Sequence, residues 1–356
     1  PVQRRGTALR VLTFPMTFRA ASGGLLGGLL IDRLGWPSVY WISGALALAG
    51  LLPVRLLVPE IRSARNDTPF DYVGAMLLFA TIASLLSLPT WASNFGARSP
   101  VTWAIVVVGI ASLVTLWKHS RRMDAPVIDT AILSRPAFAL PSAIYWLHML
   151  FFSGVLYSLA FFINSRPGGT AAQFGFVTLF LYGGGLLSAP LSGRLVDRFE
   201  PKFISMFALL ASLAGAFLFI GIDVSTPLWT VIVIVSLLGF SMGANSPAIM
   251  KMAFGAVPPH KMGTGTGLFS MFRDLGSPTG SSFSLAVFGT TLAYQTHSSL
   301  TRLGESAGLG PETVTALADI ARTRQQTVPA ELAERAAASG VDAQALLRPA
   351  GPEGPG

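Results

Sequence analysis

Long, uninterrupted apolar segments dominate the chain. A helix needs about 20 apolar residues to cross the hydrocarbon core of a bilayer. Windows of that length predict nine transmembrane helices, close to residues 11–31, 37–58, 71–91, 100–117, 137–163, 174–193, 202–222, 228–254 and 264–294. The segments between them are short and rich in turn-forming residues, so they cannot hold a soluble domain. The sequence therefore predicts an all-α, polytopic transmembrane helical bundle.

The composition agrees with this fold and argues against several kinds of site. Of the 356 residues, 51% are hydrophobic and 12% are charged, whereas a soluble domain has about 25% charged residues. The absence of cysteine excludes disulfides, thiolate catalysis and iron–sulfur clusters. The four histidines are scattered along the chain. We therefore expect no cofactor, no metal site and no enzymatic activity.

The basic residues of the short loops alternate between the two sides of the predicted spans. One set of loops holds fifteen Lys and Arg residues, and the other holds Arg33, Arg98 and Arg166. Cytoplasmic loops are enriched in Lys and Arg, so the rich set is expected to face the cytoplasm. The chain is thus predicted to be a multi-pass protein of the cell membrane, with a cytoplasmic amino end and an extracytoplasmic polar tail, residues 296–356. Because the net charge of +8 follows this topology, nucleic acid is not an expected partner.

An internal repeat points to two related halves. Sliding the chain on itself by 257 residues aligns residues 1–7 with residues 258–264, and Gly23 with Gly280. Such a parallel repeat is expected of a transporter built from two similar bundles. Because the chain starts at Pro1 and the odd number of spans leaves its tail outside, we expect it to be a piece of a longer protein.

Several separate patches resemble one transporter family. Residues 193–202 are similar to the loop pattern G-x-L-x-D-R-x-G-x-[RK], with Glu200 at the second glycine. Residues 70–75 and the Ser99-Pro100 pair look like the starts of two extra helices, and residues 257–276 are similar to a later loop and helix. On these residues the chain resembles the fourteen-span drug/proton antiporter branch of the major facilitator superfamily.

The resemblance covers roughly residues 1–295 and implies a domain order. The nine spans would be the fifth to the thirteenth of fourteen, so the first four and the last would be absent. The implied divisions are the end of an amino-terminal six-helix bundle in 1–65, two linker spans in 66–125, five spans of a carboxyl-terminal bundle in 126–295, and the tail.

Four glycines of the first span resemble the end of the antiporter signature G-x8-G-x3-G-P-x2-G-G. They are Gly23, Gly24, Gly27 and Gly28. Gly24 stands where the signature has proline, and Arg10 and Arg19 stand at its first two glycines. Glycines at this spacing let helices approach closely, which suits either a surface that moves during transport or ordinary helix packing.

Three charged residues lie inside predicted spans and clear of the span ends; a charge costs about 2.5 to 3.5 kcal/mol at the bilayer centre. Arg19 is a candidate partner for an anionic substrate group or a carboxylate, the alternative being a structural ion pair or a side chain that reaches the interface. Asp274 is the candidate proton carrier, because it lies clear of the span ends. It follows Arg273, but adjacent helical positions point about 100° apart, so the two need not pair.

Two polar residues within spans are further candidates for the substrate or proton pathway. His148 could take a proton or bind substrate, the alternative being a buried histidine with a single hydrogen-bond partner. Asn245 precedes Ser246 and Pro247, and the proline predicts a helix break of the kind tolerated where backbone lines protein or a cavity.

A predicted gating loop contains Gly193, Asp197, Arg198 and Lys202. By resemblance, a carboxylate near a neighbouring helix N-terminus, with cations beside it, holds the cytoplasmic side closed. The excess of basic residues expected in a cytoplasmic loop would explain Arg198 and Lys202, but it would not explain the acidic Asp197.

Together these features predict a secondary transporter that exports small hydrophobic or amphipathic compounds by alternating access, coupled to protons. The expected partners are a small-molecule substrate, protons and the lipid bilayer, and the expected oligomeric state is a monomer. A facilitator or an importer is the alternative within transport. A receptor predicts a large outer or inner domain, and a membrane enzyme predicts reactive side chains clustered at one depth.

Overall fold

The chain folds into helices joined by short turns. The computed structural model describes residues 23–57 and 70–306, with side chains for 23–56, 70–289 and 291. Helix α1 is described over residues 23–34. The helices that follow are α2 (Pro37–Leu57), α3 (Tyr72–Phe95), α4 (Pro100–Ser120), α5 (Thr130–Leu133), α6 (Pro136–Asn164), α7 (Ala171–Arg198), α8 (Pro201–Ile220), α9 (Leu228–Gly255) and α10 (Met262–Ser306).

Seven helices in the described part of the chain are long and apolar enough to cross a membrane, namely α2, α3, α4, α6, α7, α8 and α9. They confirm the predicted polytopic helical bundle. The first predicted span lies partly outside the described residues. The last predicted span falls in α10, whose many Gly, Ser and Thr residues keep it out of the apolar set. Helix α10 also continues to Ser306, past the expected start of the polar tail.

Prolines and glycines determine several helix ends. Helices α6 and α8 begin at Pro136 and Pro201, where the missing proline N–H leaves no broken helical bond. Gly35 and Gly96 follow α1 and α3 with φ of 77° and 86°, a region where a Cβ atom causes strain. By contrast, Pro247 does not break α9, which is continuous from Leu228 to Gly255, so the predicted helix break is wrong.

Helices α7 and α9 approach each other backbone to backbone. A Cβ atom on Gly239 of α9 would overlap the carbonyl oxygen of Leu181 of α7, and one on Gly243 would overlap that of Gly185. Small residues therefore permit this crossing. The apolar side chains buried around it include Phe152, Leu159, Val177, Val231, Val235 and Leu238.

A second apolar core lies at the opposite ends of α6 and α9. The short helix α5 contributes Ile132, which is only 1% exposed. The other buried members include Leu116, Ile128, Phe138, Ile249, Leu268 and Phe269. This core joins α4, the connection after α4, and the helices α6, α9 and α10.

Contact density divides the chain into two compact units. The first comprises Pro1–Leu86 and Val106–Ser281, and both apolar cores lie within it. The second comprises Ser87–Ile105 and Ser282–Gly356. Its described residues are helical apart from the turn at 96–99, where the Thr102 hydroxyl donates to the carbonyl of Gly96 over 3.0 Å. The domain order implied by the family resemblance stays a prediction.

Candidate functional site

A buried polar network links α6, α8 and α9. Asn245 Nδ2 donates to His148 Nδ1 over 2.8 Å, and Ser205 Oγ donates to Asn245 Oδ1 over 2.7 Å. On the other side of the ring, His148 Nε2 lies 2.9 Å from Ser212 Oγ, which lies 2.6 Å from Ser241 Oγ. Each of these five residues is at most 5% exposed. The polar groups of these five residues are thus satisfied within the bundle.

The directions of these hydrogen bonds fix the form of the histidine. Because Nδ1 accepts from the Asn245 amide, the ring proton lies on Nε2 and points to Ser212. Ser212 can then donate to Ser241, whose hydroxyl donates to the Leu238 carbonyl over 2.7 Å. The chain of donors is complete with a neutral imidazole. His148 and Asn245 therefore hold three helices together, and their assignment to a substrate or proton pathway stays a prediction.

An ion pair on α10 brings together the two charges that were not required to pair. Arg273 Nε and Asp274 Oδ1 lie 2.8 Å apart, and Arg273 NH2 lies 3.2 Å from Asp274 Oδ2. The long guanidinium side chain bends round to its neighbour, so the divergence of adjacent positions does not keep them apart. The side chains stay 44% and 67% exposed, respectively. Asp274 is thus accessible as well as paired.

Aromatic and hydroxyl groups occupy the facing parts of α6 and α9. The Tyr145 hydroxyl donates to Ser246 Oγ over 3.2 Å, and the Tyr145 ring stacks on Phe269 of α10 with centroids 5.3 Å apart. Tyr145 interacts electrostatically with Arg273 and Asp274. The sequence reading missed Tyr145 and treated Ser246 only as part of a helix break. The arrangement combines an apolar ring, hydroxyl groups and an accessible ion pair.

The predicted gating residues lie at the end of α7 and the start of α8. Gly193, Asp197 and Arg198 belong to α7, and Lys202 is the second residue of α8, so most of the predicted loop is helical. Asp197 Oδ1 lies 3.7 Å from Lys251 Nζ of α9. Lys251 also donates to the Val196 carbonyl over 2.6 Å. A cation on α9 is therefore the partner of Asp197.

Two of the four signature glycines contact α7, and two do not. A Cβ atom on Gly24 would overlap Thr178, and one on Gly28 would overlap the backbone of Ala171. A Cβ atom on Gly23 or Gly27 would have no neighbour within 4 Å. Gly23 and Gly27 line an open groove formed by α1 and α2. Gly24 and Gly28 therefore form the stripe of α1 that approaches α7, and the role of the four glycines as a transport signature stays a prediction. Arg19 lies outside the described residues.

Two carboxylates outside the spans tie connecting segments to helix ends. Asp71 accepts from Gly74 N at 2.8 Å and lies 2.7 Å from His119 Nε2 and 3.4 Å from Val127 N. Burial alone raises the pKa of Asp71, but hydrogen bonds from His119, Gly74 and Val127 hold it below the ordinary value. A Cβ atom on Gly74 would overlap the Asp71 carboxylate, so a larger residue there would displace this carboxylate from its partners.

Asp129 connects the segment before α6 to the turn before α10. It caps α5 by accepting from the amides of Ala131 and Ile132, and Lys261 Nζ lies 2.7 Å from Asp129 Oδ2. Burial raises the pKa of Asp129, yet the bonds from Lys261 and the helix amides hold it below the ordinary value. Arg135 adds a bond to the Ala256 carbonyl over 3.2 Å.

Sequence reasoning missed the serines of the buried network. Ser205 and Ser212 are seven residues apart on α8, and Ser241 and Asn245 are four apart on α9. Both spacings place polar groups on one face of a helix. Polar residues at helical spacing within an apolar span were therefore the available signal. Within the described residues, no group of three or more His, Asp or Glu side chains could hold a metal ion.

The apolar helices and the internally satisfied polar groups define the class as a multi-pass helical membrane protein. A family model described as Major Facilitator Superfamily matches residues 1–281. The chain therefore belongs to the Major Facilitator Superfamily, and the relatives described below carry the names of transporters and resistance proteins rather than enzymes.

Three relatives illustrate the match. The chain is 23% identical over 298 residues to the uncharacterized MFS-type transporter YhcA of Bacillus subtilis (strain 168), covering 81% of this chain and 54% of that protein. It is 25% identical over 319 residues to the Multidrug resistance protein B homolog of Mycobacterium tuberculosis (strain ATCC 25618 / H37Rv), covering 87% and 57%. It is 22% identical over 321 residues to the Lincomycin resistance protein LmrB of Listeria monocytogenes serovar 1/2a (strain ATCC BAA-679 / EGD-e), covering 89% and 65%. The chain spans about half the length of the first relatives it matches.

Proposed function

We propose that this chain is part of a proton-coupled exporter of small hydrophobic or amphipathic compounds that works by alternating access. The observation on which this rests is the accessible Arg273–Asp274 pair on α10, one helical turn beyond Phe269, on which the Tyr145 ring stacks. An ionisable group within a membrane helix is costly, and the groups that are kept there usually pair with one another or line an ion or substrate path. Asp274 is the proposed proton carrier, with Arg19 and Arg273 as the cations that influence it.

The names of relatives support export of drug-like compounds. They include a multidrug resistance protein, a lincomycin resistance protein and a drug efflux pump. We extend that role to this chain as a proposal, together with the fourteen-span arrangement, its domain order and a monomeric state. A facilitator without proton coupling is the competing proposal within the family.

The ends of α7 and α9 supply the proposed gate. The Asp197–Lys251 pair joins the end of α7 to α9 through exposed side chains, and Lys251 also binds a backbone carbonyl of α7. Exposed pairs are weak, so this contact can break and re-form during transport. Arg198 and Lys202 are the flanking cations of the proposed gate.

The coupling proposal is tested with Asp274→Asn, with ethidium and lincomycin as probes. We expect the variant to lose uphill, proton-driven efflux from preloaded cells while downhill exchange of the probe continues, because only the proton step is removed. The matched control is Asp223→Asn, an exposed carboxylate in the turn between α8 and α9. Uphill efflux at the parent rate in Asp274→Asn would place the coupling residue elsewhere. Downhill movement alone in the parent would favour the facilitator.

Arg19 has a separate test. Arg19→Ala should weaken binding of the probe or move the pH of half-maximal transport, because the proposal makes this cation a partner of an anion. Efflux rates are measured against probe concentration and pH. If the dependence of efflux on probe concentration and pH were the same as in the parent, Arg19 would have only a structural role.

The gate is tested with Asp197→Asn, using Glu200→Gln as the neighbouring control. We expect Asp197→Asn to reduce efflux severely while the Kd for ethidium stays close to the parental value, since the change alters the balance of two conformations and not the binding site. Unchanged efflux in Asp197→Asn would remove the residue from the gate.

Orientation in the cell membrane is tested by thiol labelling, because the chain has no cysteine. Single cysteines at Arg122 and Lys261 should be protected from an impermeant maleimide added outside intact cells, whereas cysteines at Ala97 and Gly168 should react. The opposite pattern would reverse the proposed topology, which places the amino end in the cytoplasm and the tail outside.

A further inference from the structure

Helices α1 and α7 touch through their backbones. A Cβ atom on Gly28 would overlap the backbone of Ala171 and Ala172, and a Cβ atom on Gly175 would overlap the carbonyl of Gly24. Thr178, which is 2% exposed, lies directly against Gly24. Few side chains therefore interdigitate at this contact, so few would have to rearrange if the helices separated.

The first turn of α7 has three amide groups, those of Ala171, Ala172 and Gln173, that no bond within the helix can satisfy. Gln173 N donates to Thr170 Oγ1 over 3.2 Å, and Phe174 N makes the first helical bond, to the Thr170 carbonyl, over 3.2 Å. The remaining two amides bind a side chain 139 and 140 residues away. Ala171 N donates to Asp32 Oδ1 over 3.1 Å, and Ala172 N donates to Asp32 Oδ2 over 2.8 Å.

The first turn of α7 is thus capped by Thr170, which precedes it in the chain, and by Asp32 of α1. Asp32 lies in the last turn of α1, and its carboxylate is exposed. Both of its oxygens accept from α7, so the contact is bidentate and charge-assisted, and the negative charge lies at the positive end of the helix dipole. Thr170 cannot link two helices, because it belongs to the same segment as α7. Asp32 does link them.

We propose that Asp32 is a positioning residue of the transport cycle, which holds α1 on α7 and releases it when this end of the protein opens. Two features suit a contact that must break. Because Asp32 is exposed, water can hydrogen-bond to its carboxylate and to the two amides once the contact breaks. The glycines at the contact also leave no interdigitating side chains between the two helices there. The inference rests on the proposed alternating access, since opening has a role only in such a cycle.

The capping contact is tested by amide hydrogen exchange in the solubilised transporter. Asp32→Asn keeps one acceptor oxygen in place of two, and Asp32→Ala keeps none. We expect exchange at Ala171 and Ala172 to speed up in the order parent, Asn, Ala, whereas Gln173, which Thr170 caps, keeps its rate. Equal acceleration at all three amides in both variants would mean general fraying and would overturn the capping role of Asp32.

Opening is tested with a cysteine reporter at Thr178, behind the α1–α7 contact. Reaction with N-ethylmaleimide in open membrane fragments does not depend on the orientation of the chain. We expect Asp32→Ala to raise the labelling rate about tenfold, since two charge-assisted bonds that oppose opening are lost. Asp32→Asn should give an intermediate rate. Asp223→Ala, which removes a carboxylate bonded only within its own turn, should leave the rate unchanged.

A measurement during transport connects the contact between Asp32 and α7 to the transport cycle. In sealed membrane vesicles with ethidium and a proton gradient, labelling of the parent reporter should accelerate, whereas the Asp32→Ala reporter should label fast with or without them. If ethidium is not transported, the parent rate will not respond, yet the Asp32 variants will still differ, so failure of the proposed function is distinguishable. The role of Asp32 would be overturned if Asp32→Ala and Asp32→Asn both labelled within about twofold of the parent rate. A difference of that size is too small for a lost charge-assisted bond.

Discussion

Helices α9 and α4 look alike in sequence and behave differently in the fold. Both are long and apolar, with mean hydropathies of 1.8 and 2.0 over their most apolar windows. Half of that window is buried in α9, but only 11% is buried in α4 and 6% in α3. Hydropathy therefore predicts that a helix enters a membrane, and it does not predict which helix lies at the centre of a bundle.

Small and polar residues make the difference. Helix α9 presents Gly239 and Gly243 to α7, and Ser241 and Asn245 to the polar network. In lipid, apolar side chains gain little by leaving one apolar environment for another, so helices associate through close backbone contact and hydrogen bonds. Helix α4 has one glycine in close contact of this kind, Gly109 against Ser84 of α3. The following predictions test this contrast by changing matched residues in the two regions.

The largest effect is expected at the α7–α9 crossing. Gly239→Leu would force a side chain into the backbone of Leu181, and overpacking of this kind costs about 1 to 3 kcal/mol or more. Gly44→Leu in α2 meets open space and should change little. Thermal unfolding in detergent, followed by tryptophan fluorescence, measures the difference. Equal unfolding temperatures would show that the crossing can relax around a large side chain.

A smaller but clear effect is expected in the polar network. Asn245→Ala leaves His148 and Ser205 without their buried partner, which costs about 1 to 3 kcal/mol. Asn94→Ala, at the exposed end of α3, is the control. A double-mutant cycle with His148→Leu should be non-additive, because the two residues share one network. Additive losses would mean that the network is a set of independent bonds.

A pH-dependent effect is expected at the start of α3. Since the pKa of Asp71 is held below its ordinary value, this carboxylate stabilises the fold above the unfolded pKa of about 3.9. That stability is lost as the pH falls through the lower, folded pKa. Asp71→Ala should therefore be destabilised at neutral pH and lose less on acidification than the parent does.

Unfolding temperatures between pH 7 and about pH 3, which brackets the aspartate range, give the measurement. Asp124→Ala, in the exposed connection after α4, serves as the control and should follow the parent. Parallel curves for the parent and Asp71→Ala would assign the acid sensitivity to other carboxylates.

The smallest effect on stability is expected at the gate. Lys251 and Asp197 are 48% and 81% exposed at 3.7 Å, and exposed pairs contribute about 0 to 1 kcal/mol. Lys251→Met should therefore unfold within a few degrees of the parent, as should Lys118→Met in α4. A large loss would show that the hydrogen bond from Lys251 to Val196 supports the α7–α9 contact.

Much of the fold could be read from local sequence. Seven predicted spans correspond to apolar helices, Pro136 and Pro201 start helices, and turn residues separate them. These features depend on a few neighbouring residues. The extent of α10 and the continuity of α9 through Pro247 could not be predicted in this way. Whether a proline or a polar stretch ends a helix depends on the other hydrogen bonds of that helix and on the packing around it.

The sequence by itself determined that this chain crosses a membrane many times, because span length and apolarity are properties of a single segment. Only the tertiary structure decided which polar groups meet: His148 with Asn245, Asp197 with Lys251, and Asp32 with the first turn of α7. These partners are separated by tens of residues or more in sequence. Their meeting depends on the rotation and crossing of whole helices, which many distant contacts set together.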